Sequence, residues 1–215
     1  MSNGTSFAGN IKKIEKFSLC DWGSMVSAAI FLGGCNFRCP TCHNWELATR
    51  PNNITSISPD SVISYLRRSF RWLDGVVITG GEPTVHKDLS VLVSKIENMG
   101  LKVNLHTNGS RPDLIRYYVE QGLVDVFSVD VKGPFAKYPL LTGGRMSMAG
   151  AQESLGAIFE LARQHPEKFY FRTTLVPFLD EEDLAVCQSY MPEGQTLHFQ
   201  DYREPTDPEQ LELLK

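Results

Sequence analysis

Short apolar runs alternate with longer amphipathic ones along most of this chain, and that alternation limits its fold more than any other feature. The runs SAAIFL (27–32), GVVIT (75–79), KVNLHT (102–107), VDVFSVDV (124–131), FYFRTTLV (169–176) and TLHFQ (196–200) are rich in Val, Ile, Phe and Thr. Those residues pack well on a pleated surface and predict strands. GVVIT is nearly all apolar, as a strand buried on both faces should be.

Between the strands lie helical signals. SPDSVISYLRRSF (58–70) offers Ser58 as N-cap with Pro59 in the first turn. KDLSVLVSKIENMG (87–100) is apolar on one face and ends at Gly100, a natural C-terminal cap. RPDLIRYYVEQG (111–122) again puts Pro early and Gly late. AGAQESLGAIFELARQHP (149–166) and DEEDLAVCQSYMP (180–192) both run into a Pro, which cannot continue a helix interior.

Strand, helix, strand, helix implies parallel strands joined by crossover helices. Six such units are too few for the eightfold barrel, which leaves an α/β partial barrel or an open twisted sheet. With 215 residues, 42% of them hydrophobic, one domain over 1–215 is expected, with a core over about 18–202 and a tail over 203–215. The last fifteen residues, DYREPTDPEQLELLK, are polar and Pro-containing, and are expected to wrap the surface or fray.

Charge and hydropathy exclude several function classes. The net charge is −4, with no basic block or stripe, so no nucleic-acid partner is expected. No apolar run approaches the roughly 18 residues that span a bilayer. The start, MSNGTSFAGNIKK, lacks the apolar core of a signal peptide, and a cytoplasmic protein is expected. Five cysteines in a reducing compartment are thiols, metal ligands or catalytic groups. Cys20 and Cys187 stand apart and read as small buried hydrophobes.

Parallel architectures bind ligands at the carboxyl ends of their strands. There the unusual residues of this chain gather. The first strand leads into FLGGCNFRCPTCHNWEL (31–47), the second into GGEPT (80–84), the third into HTNG (106–109). The fourth ends with Asp130 and Lys132, the fifth carries Arg172, Thr173 and Thr174, and the sixth His198 and Gln200. Taken singly, GGEP and TNG are ordinary turn signals. Asp130 and Lys132 are two apart, so a regular strand puts them on one side, where a purely structural ion pair is equally in keeping. His198 reads as a satisfied core histidine, and His86 and His165 as structural or exposed.

Cys35, Cys39 and Cys42 are spaced by three residues, then two. Soft thiolates select zinc, copper or iron–sulfur clusters. A closed zinc site needs a fourth ligand, and His43 is adjacent to Cys42, a poor position for reaching the same tetrahedral metal. A four-iron cubane held by three cysteines leaves one iron free of protein, and an open coordination position separates a reactive metal site from a structural one. Gly33 and Gly34 let the loop turn tightly, and its amides, with Arg38, can donate to the sulfides.

The Cys35-x3-Cys39-x2-Cys42 loop after the first strand resembles that of the radical S-adenosylmethionine (SAM) superfamily, and GGEP after the second is similar to its glycine-rich motif. The resemblance implies a partial (β/α)6 barrel and a [4Fe-4S] cluster whose open iron binds the amino and carboxylate groups of S-adenosyl-L-methionine. One electron then cleaves the sulfonium to methionine and a 5′-deoxyadenosyl radical, which takes a hydrogen atom from the substrate in a dry, enclosed site. CHN (42–44), FSLCDWG (17–23), DVKGPFAKYPLLTG (130–143) and FRTTLVP (171–177) are similar to glycyl-radical-enzyme activating proteins. HFQDYREP (198–205) is similar to those of anaerobic ribonucleotide reductase. This implies a protein partner that receives a glycyl radical, and a low-potential donor such as flavodoxin or ferredoxin.

Carried over residue by residue, the resemblance implies that Cys35, Cys39 and Cys42 hold the cluster. Gly80, Gly81 and Glu82 offer backbone groups to the methionyl amino group. Thr107 and Asp130 lie near the methionyl or ribose groups, and Lys132 faces the methionyl carboxylate. Arg172 is a further candidate, and the Asn108-Gly109 turn shapes the adenosyl pocket. Three departures stand out. Thr41 replaces the aromatic residue usual before the third cysteine, so adenine must pack elsewhere, on Phe37 or Trp45. Asp21-Trp22-Gly23-Ser24 replaces Asp-x-Pro-Gly, near where relatives meet the glycyl loop; Asp21 and Trp22 are the candidates for meeting that loop. His106 stands where some relatives place an acid. Two alternatives remain open: a radical enzyme acting on a small molecule, like the deazaguanine-forming enzymes that also carry TGGEP, and a non-catalytic metal-binding module.

Overall fold

The computed structural model describes residues 10–214. Most of the segment read above for a leader lies outside the described residues. Among the described residues, seven strands form one sheet: β1 (Ile11–Ser18), β2 (Ser27–Leu32), β3 (Gly75–Gly80), β4 (Lys102–Thr107), β5 (Val126–Asp130), β6 (Phe169–Thr174) and β7 (Leu197–Gln200). Their order in space is their order in sequence; β2 to β7 are parallel and β1 is antiparallel to β2. The helices are α1 (Trp45–Thr49), α2 (Pro59–Ser69), α3 (Leu89–Glu97), α4 (Pro112–Gln121), α5 (Tyr138–Leu141), α6 (Met148–Gln164), α7 (Glu181–Ser189) and α8 (Pro208–Glu212). This is the partial barrel of six strand–helix units, with one additional strand.

β1 escapes the sequence pattern for a physical reason. In IKKIEKFS the apolar residues Ile11, Ile14 and Phe17 recur every three residues, a spacing closer to helix than to the strand period of two. Register shifts between Ile11 and Lys13 and between Glu15 and Ser18 absorb the mismatch. Because β1 is antiparallel, Ser18 pairs with Ser27 at the beginning of β2. The segment after it, residues 19–25, therefore turns at the amino ends of the parallel strands.

Period-two alternation then decides what faces what. Val103 and Leu105 of β4, Phe127 and Val129 of β5 and Phe171 of β6 join the core beneath the helices. Their neighbours Asn104 and His106, Ser128 and Asp130, and Arg172 and Thr174 point to the other side of the sheet. The helices cover the apolar side through single stripes: Val62, Ile63 and Leu66 in α2, Leu89, Leu92, Val93 and Ile96 in α3, and Leu155, Ile158, Phe159 and Ala162 in α6. Among the described residues, no helix is long and apolar enough to cross a membrane.

Candidate active site

The loops at the carboxyl ends of β2 and β3 are joined backbone to backbone. Gly81 N donates to Leu32 O at 2.8 Å and Glu82 N to Gly34 O at 2.8 Å. A Cβ on Gly81 would stand 2.0 Å from Gly34 O, and one on Gly80, at φ +114°, 2.4 Å from Leu32 O. Only glycines permit this approach. Asn44, just after the third cysteine, donates through Nδ2 to Gly80 O at 2.9 Å. The backbone groups expected to meet a ligand thus already engage the cysteine loop; a carbonyl such as Gly80 O retains a second lone pair.

The side chain of Glu82 has a task of its own, beside the backbone role that its position in the motif implies. Its buried carboxylate accepts from Thr84 Oγ1 (2.6 Å), Thr84 N (3.1 Å), Thr107 Oγ1 (2.9 Å) and Asn108 N (2.7 Å). Burial raises its pKa, opposed by these hydrogen bonds. It pins the end of β4 to the glycine loop. Asn108 extends the pin, donating to Asn36 Oδ1 at 2.9 Å inside the cysteine loop, and Asn36 donates in turn to Ser110 Oγ at 2.8 Å.

Behind these loops lies a cavity of about 820 Å³. Cys35, Cys39 and Cys42 line it, together with Gly80, Gly81, Glu82, Thr107 and Asn108. Asp130, Lys132, Arg172 and His106 form another part of its wall. Burial pushes all three thiols up to about 11, and Lys132 pulls against it. Among the described residues, no group of three or more His, Cys, Asp and Glu side chains is arranged to hold a metal ion. Three soft thiols on one cavity wall, not converging on one ion, fit a group that gives each thiolate its own iron better than they fit one tetrahedral zinc.

The other part of the wall is an ionic network. Asp130 accepts from Lys132 Nζ at 2.8 Å and from Arg172 Nε at 2.6 Å. Arg172 also approaches His106 Nδ1 at 3.2 Å. Burial alone would raise the pKa of Asp130; Arg172 and Lys132 overcome it and hold the carboxyl well below the usual range. Burial would lower Lys132, but Asp130 overcompensates and holds the ammonium charged. His106 is held neutral by burial and by Arg172. The ion pair and the cavity position are therefore both properties of Lys132, and an ammonium keeps N–H donors beyond the one spent on Asp130.

Several sequence expectations need correction. Arg38 sends its guanidinium to Cys35 O and Phe37 O, each at 2.7 Å, bracing the loop backbone rather than reaching sulfur. Phe37 lines the cavity, whereas Trp45 starts α1 with its ring buried away from it. Cys187 is buried but Cys20 is exposed, beside Ser18 Oγ. His198 is exposed and stacks on Tyr170 with ring centres 4.1 Å apart. Asp21 lines the cavity, but Trp22 does not meet the rim. Its ring lies over Gly75 at the amino end of β3, because β1 is antiparallel and its turn falls at the base. Asn44, Asn36 and Gln210 emerge only from the structure; Asn44 alone carried a signal, as the last residue of CHN.

Comparison with known proteins extends this geometry. The profile of the Radical SAM superfamily matches residues 29–188. A protein of Methanocaldococcus jannaschii, provisionally named a glycyl-radical enzyme activating enzyme, is 31% identical over 176 residues, 81% of this chain and 72% of that protein. A 7-carboxy-7-deazaguanine synthase of Halobacterium salinarum is 34% identical over 84 residues, 39% of this chain and 32% of that enzyme. Among solved structures, Streptococcus suis SuiB bound to S-adenosylmethionine superposes with a TM-score of 0.61 at 16% identity, over 80% of this chain and 39% of SuiB. At that identity the likeness is one of fold, and the chain spans well under half of SuiB.

Proposed function

The chain belongs to the radical SAM superfamily, whose members use a [4Fe-4S] cluster and S-adenosylmethionine, and from that premise we propose that it generates a glycyl radical on a partner enzyme such as anaerobic ribonucleotide reductase. The observation that carries this reading is the reach of the likeness to the Methanocaldococcus jannaschii protein, four-fifths of the chain. It includes the stretches around Asp130, Lys132 and Arg172. The likeness to the deazaguanine synthase stops at 39% of the chain, and supports a small-molecule substrate as the second reading.

Cys35, Cys39 and Cys42 would hold the cluster. When bound, it supplies one electron that splits the sulfonium into methionine and a 5′-deoxyadenosyl radical, the species that takes a hydrogen atom from the partner's glycine. The three thiols would give up their protons on binding the metal group. Lys132 favours the resulting negative charge on Cys39 and Cys42, and its remaining donors are suited to the methionyl carboxylate. Asp130 and Arg172 hold that ammonium in place. Phe37 offers the apolar face that Thr41 cannot. A cavity of about 820 Å³ is of the size that cofactor clefts take. The electron donor is proposed to be a flavodoxin or ferredoxin, and the setting the cytoplasm.

The test mixes anaerobically reconstituted protein, reductant and S-adenosylmethionine with a candidate glycyl radical enzyme. Appearance of the glycyl doublet in electron paramagnetic resonance supports the reading. S-adenosylmethionine cleavage without the doublet, coupled instead to turnover of a small molecule, moves the assignment to the second reading.

A further inference from the structure

The strand–helix core ends at β7, yet the last helix of the chain returns to the cysteine loop. Gln210 in α8 is 2% exposed, unusual for a long polar side chain near a chain end. Its carboxamide nitrogen donates to Pro40 O at 2.8 Å and to Cys42 O at 2.7 Å. A carboxamide nitrogen has two N–H donors, so both are spent on one turn. That turn is closed by Cys42 N donating to Cys39 O at 3.0 Å, and it carries two of the three thiols.

A five-residue helix has little stability of its own, so something must hold α8 where Gln210 can act. Asp207 caps its start, accepting from Glu209 N and Gln210 N. Arg50, which follows α1, pairs with Asp207 and reaches Glu209 at 3.6 Å. The tail is thus fastened to the cysteine turn itself and to the segment that follows it. Without Gln210, two carbonyls packed beneath the tail lose their partners, and such groups are costly to leave unpaired. The turn would open toward water, and its thiols would leave their present direction.

We propose that Gln210 is a positioning residue for the cluster ligands, fixing the Cys39–Cys42 turn so that both thiolates stay aimed at the cluster. It acts through the backbone and touches no sulfur. The proposal rests on the reading of the three cysteines as cluster ligands. It assigns to the C-terminal tail a role in holding the metal group.

The experiment compares the full chain with Gln210→Ala, Gln210→Glu and, as control, Leu213→Ala, whose exposed side chain lies just beyond the same helix. Iron and sulfide are first counted in the reconstituted unaltered chain. Four of each support the cluster; none defeats the cluster reading itself. Given a loaded chain, iron release to a ferrous chelator is timed without oxygen, and the reduced cluster's paramagnetic resonance spectrum is recorded. We expect release about tenfold faster in Gln210→Ala and in Gln210→Glu, which faces the carbonyls with an oxygen instead of a donor. The spectrum should change in both, alkylation of Cys42 in the apo chain should quicken, and Leu213→Ala should match the unaltered chain. Unchanged release and spectrum in Gln210→Ala overturn the proposal. Should that variant not fold, Arg50→Ala loosens the tail with Gln210 intact; faster release there supports the proposal, and unchanged release overturns it.

Discussion

On the cysteine loop, burial drives three thiols up to about 11, with partial relief from Lys132. On the wall built from β4, β5 and β6, burial is met charge by charge: Asp130 faces Lys132 and Arg172, and Arg172 faces a neutral His106. In the first region the burial of the thiols is offset only in part, and the second is satisfied. The cysteine loop is braced through its backbone, by Arg38 on Cys35 O and Phe37 O and by Gln210 on Pro40 O and Cys42 O, which leaves the thiols as the groups it presents. A network that already compensates its own charges can receive a ligand without rearranging, which is the economy of a preorganised site.

The sharpest way to break this contrast is to remove one thiol. Cys39→Ala should abolish cluster retention and S-adenosylmethionine cleavage together, since two thiolates cannot hold the cubane in working geometry. Cys20→Ala should change neither, because Cys20 is exposed at the base. Iron, sulfide and 5′-deoxyadenosine are measured in each variant. Full cleavage in Cys39→Ala would show that the loop is not the metal-holding region.

These two regions were not equally legible. The cysteine spacing and the glycine motif are each contiguous in sequence, so each short stretch carries its own whole signal. Strand periodicity likewise announced the parallel core, since GVVIT and its neighbours bury both faces. The satisfied wall was legible only in part. Asp130 and Lys132 are two apart, but Arg172 joins them across a register pairing of β5 with β6, information that a single sequence does not print. Trp22 falls at the base because its segment leads directly into the first parallel strand and so lies at that strand's amino end, a placement that the chain order already carries while the likeness to the glycyl-loop segment points to the rim. Gln210 sits 168 residues from Cys42 in a segment whose composition reads as solvated tail.

A smaller effect is expected on the satisfied side. Lys132→Ala should leave iron content intact and weaken S-adenosylmethionine binding. A charge-assisted contact is worth about 1.5–3 kcal/mol, or roughly tenfold to hundredfold in affinity. Titration calorimetry of the loaded protein reads it. Unchanged affinity would leave Lys132 as an ion-pair partner alone.

His106 gives the network a pH signature in the apo chain. Its pKa is held well below the ordinary value by burial and by Arg172. The unfolded chain takes up the proton near pH 6.5 while the folded chain resists it. Stability is therefore full above about 6.5 and is lost as pH falls below it, by up to about 1.4 kcal/mol per pH unit for a single group. Asp130 is depressed too, but its loss begins only near the unfolded aspartate value of about 4. Glu82, raised by burial, works in the opposite direction. Urea melts at pH 7.5 and 5.5 should thus show a drop that His106→Gln reduces, the remainder coming from His86, which burial also lowers. An identical drop in that variant would mean the ring is not held neutral by this wall.

The smallest expected effect is that of Asp21→Ala, in the segment at the base of the barrel. Asp21 lines the cavity, while Trp22 beside it is committed to the barrel through Gly75. Trp22→Ala should therefore lower stability, by about 2–3 kcal/mol, below the roughly 3–5 kcal/mol of a fully buried aromatic because Trp22 is only half-buried, and depress every activity with it. Asp21→Ala removes a carboxylate facing the cavity with no packed ring behind it, so the fold, the iron content and uncoupled S-adenosylmethionine cleavage should stay near their original values. If Asp21 accepts a backbone N–H from the partner's loop, one hydrogen bond to a charged acceptor is lost. Screening in an open cavity reduces that to about 1 kcal/mol, roughly a fivefold fall in glycyl radical yield on the partner. The ratio of radical formed to S-adenosylmethionine cleaved separates the cases. A falling ratio makes Asp21 a point of contact with the partner, and the cavity then has a third working region at its amino end. A constant ratio, with both activities unchanged, confines partner recognition to the carboxyl rim where the cysteine loop and the ionic wall already meet.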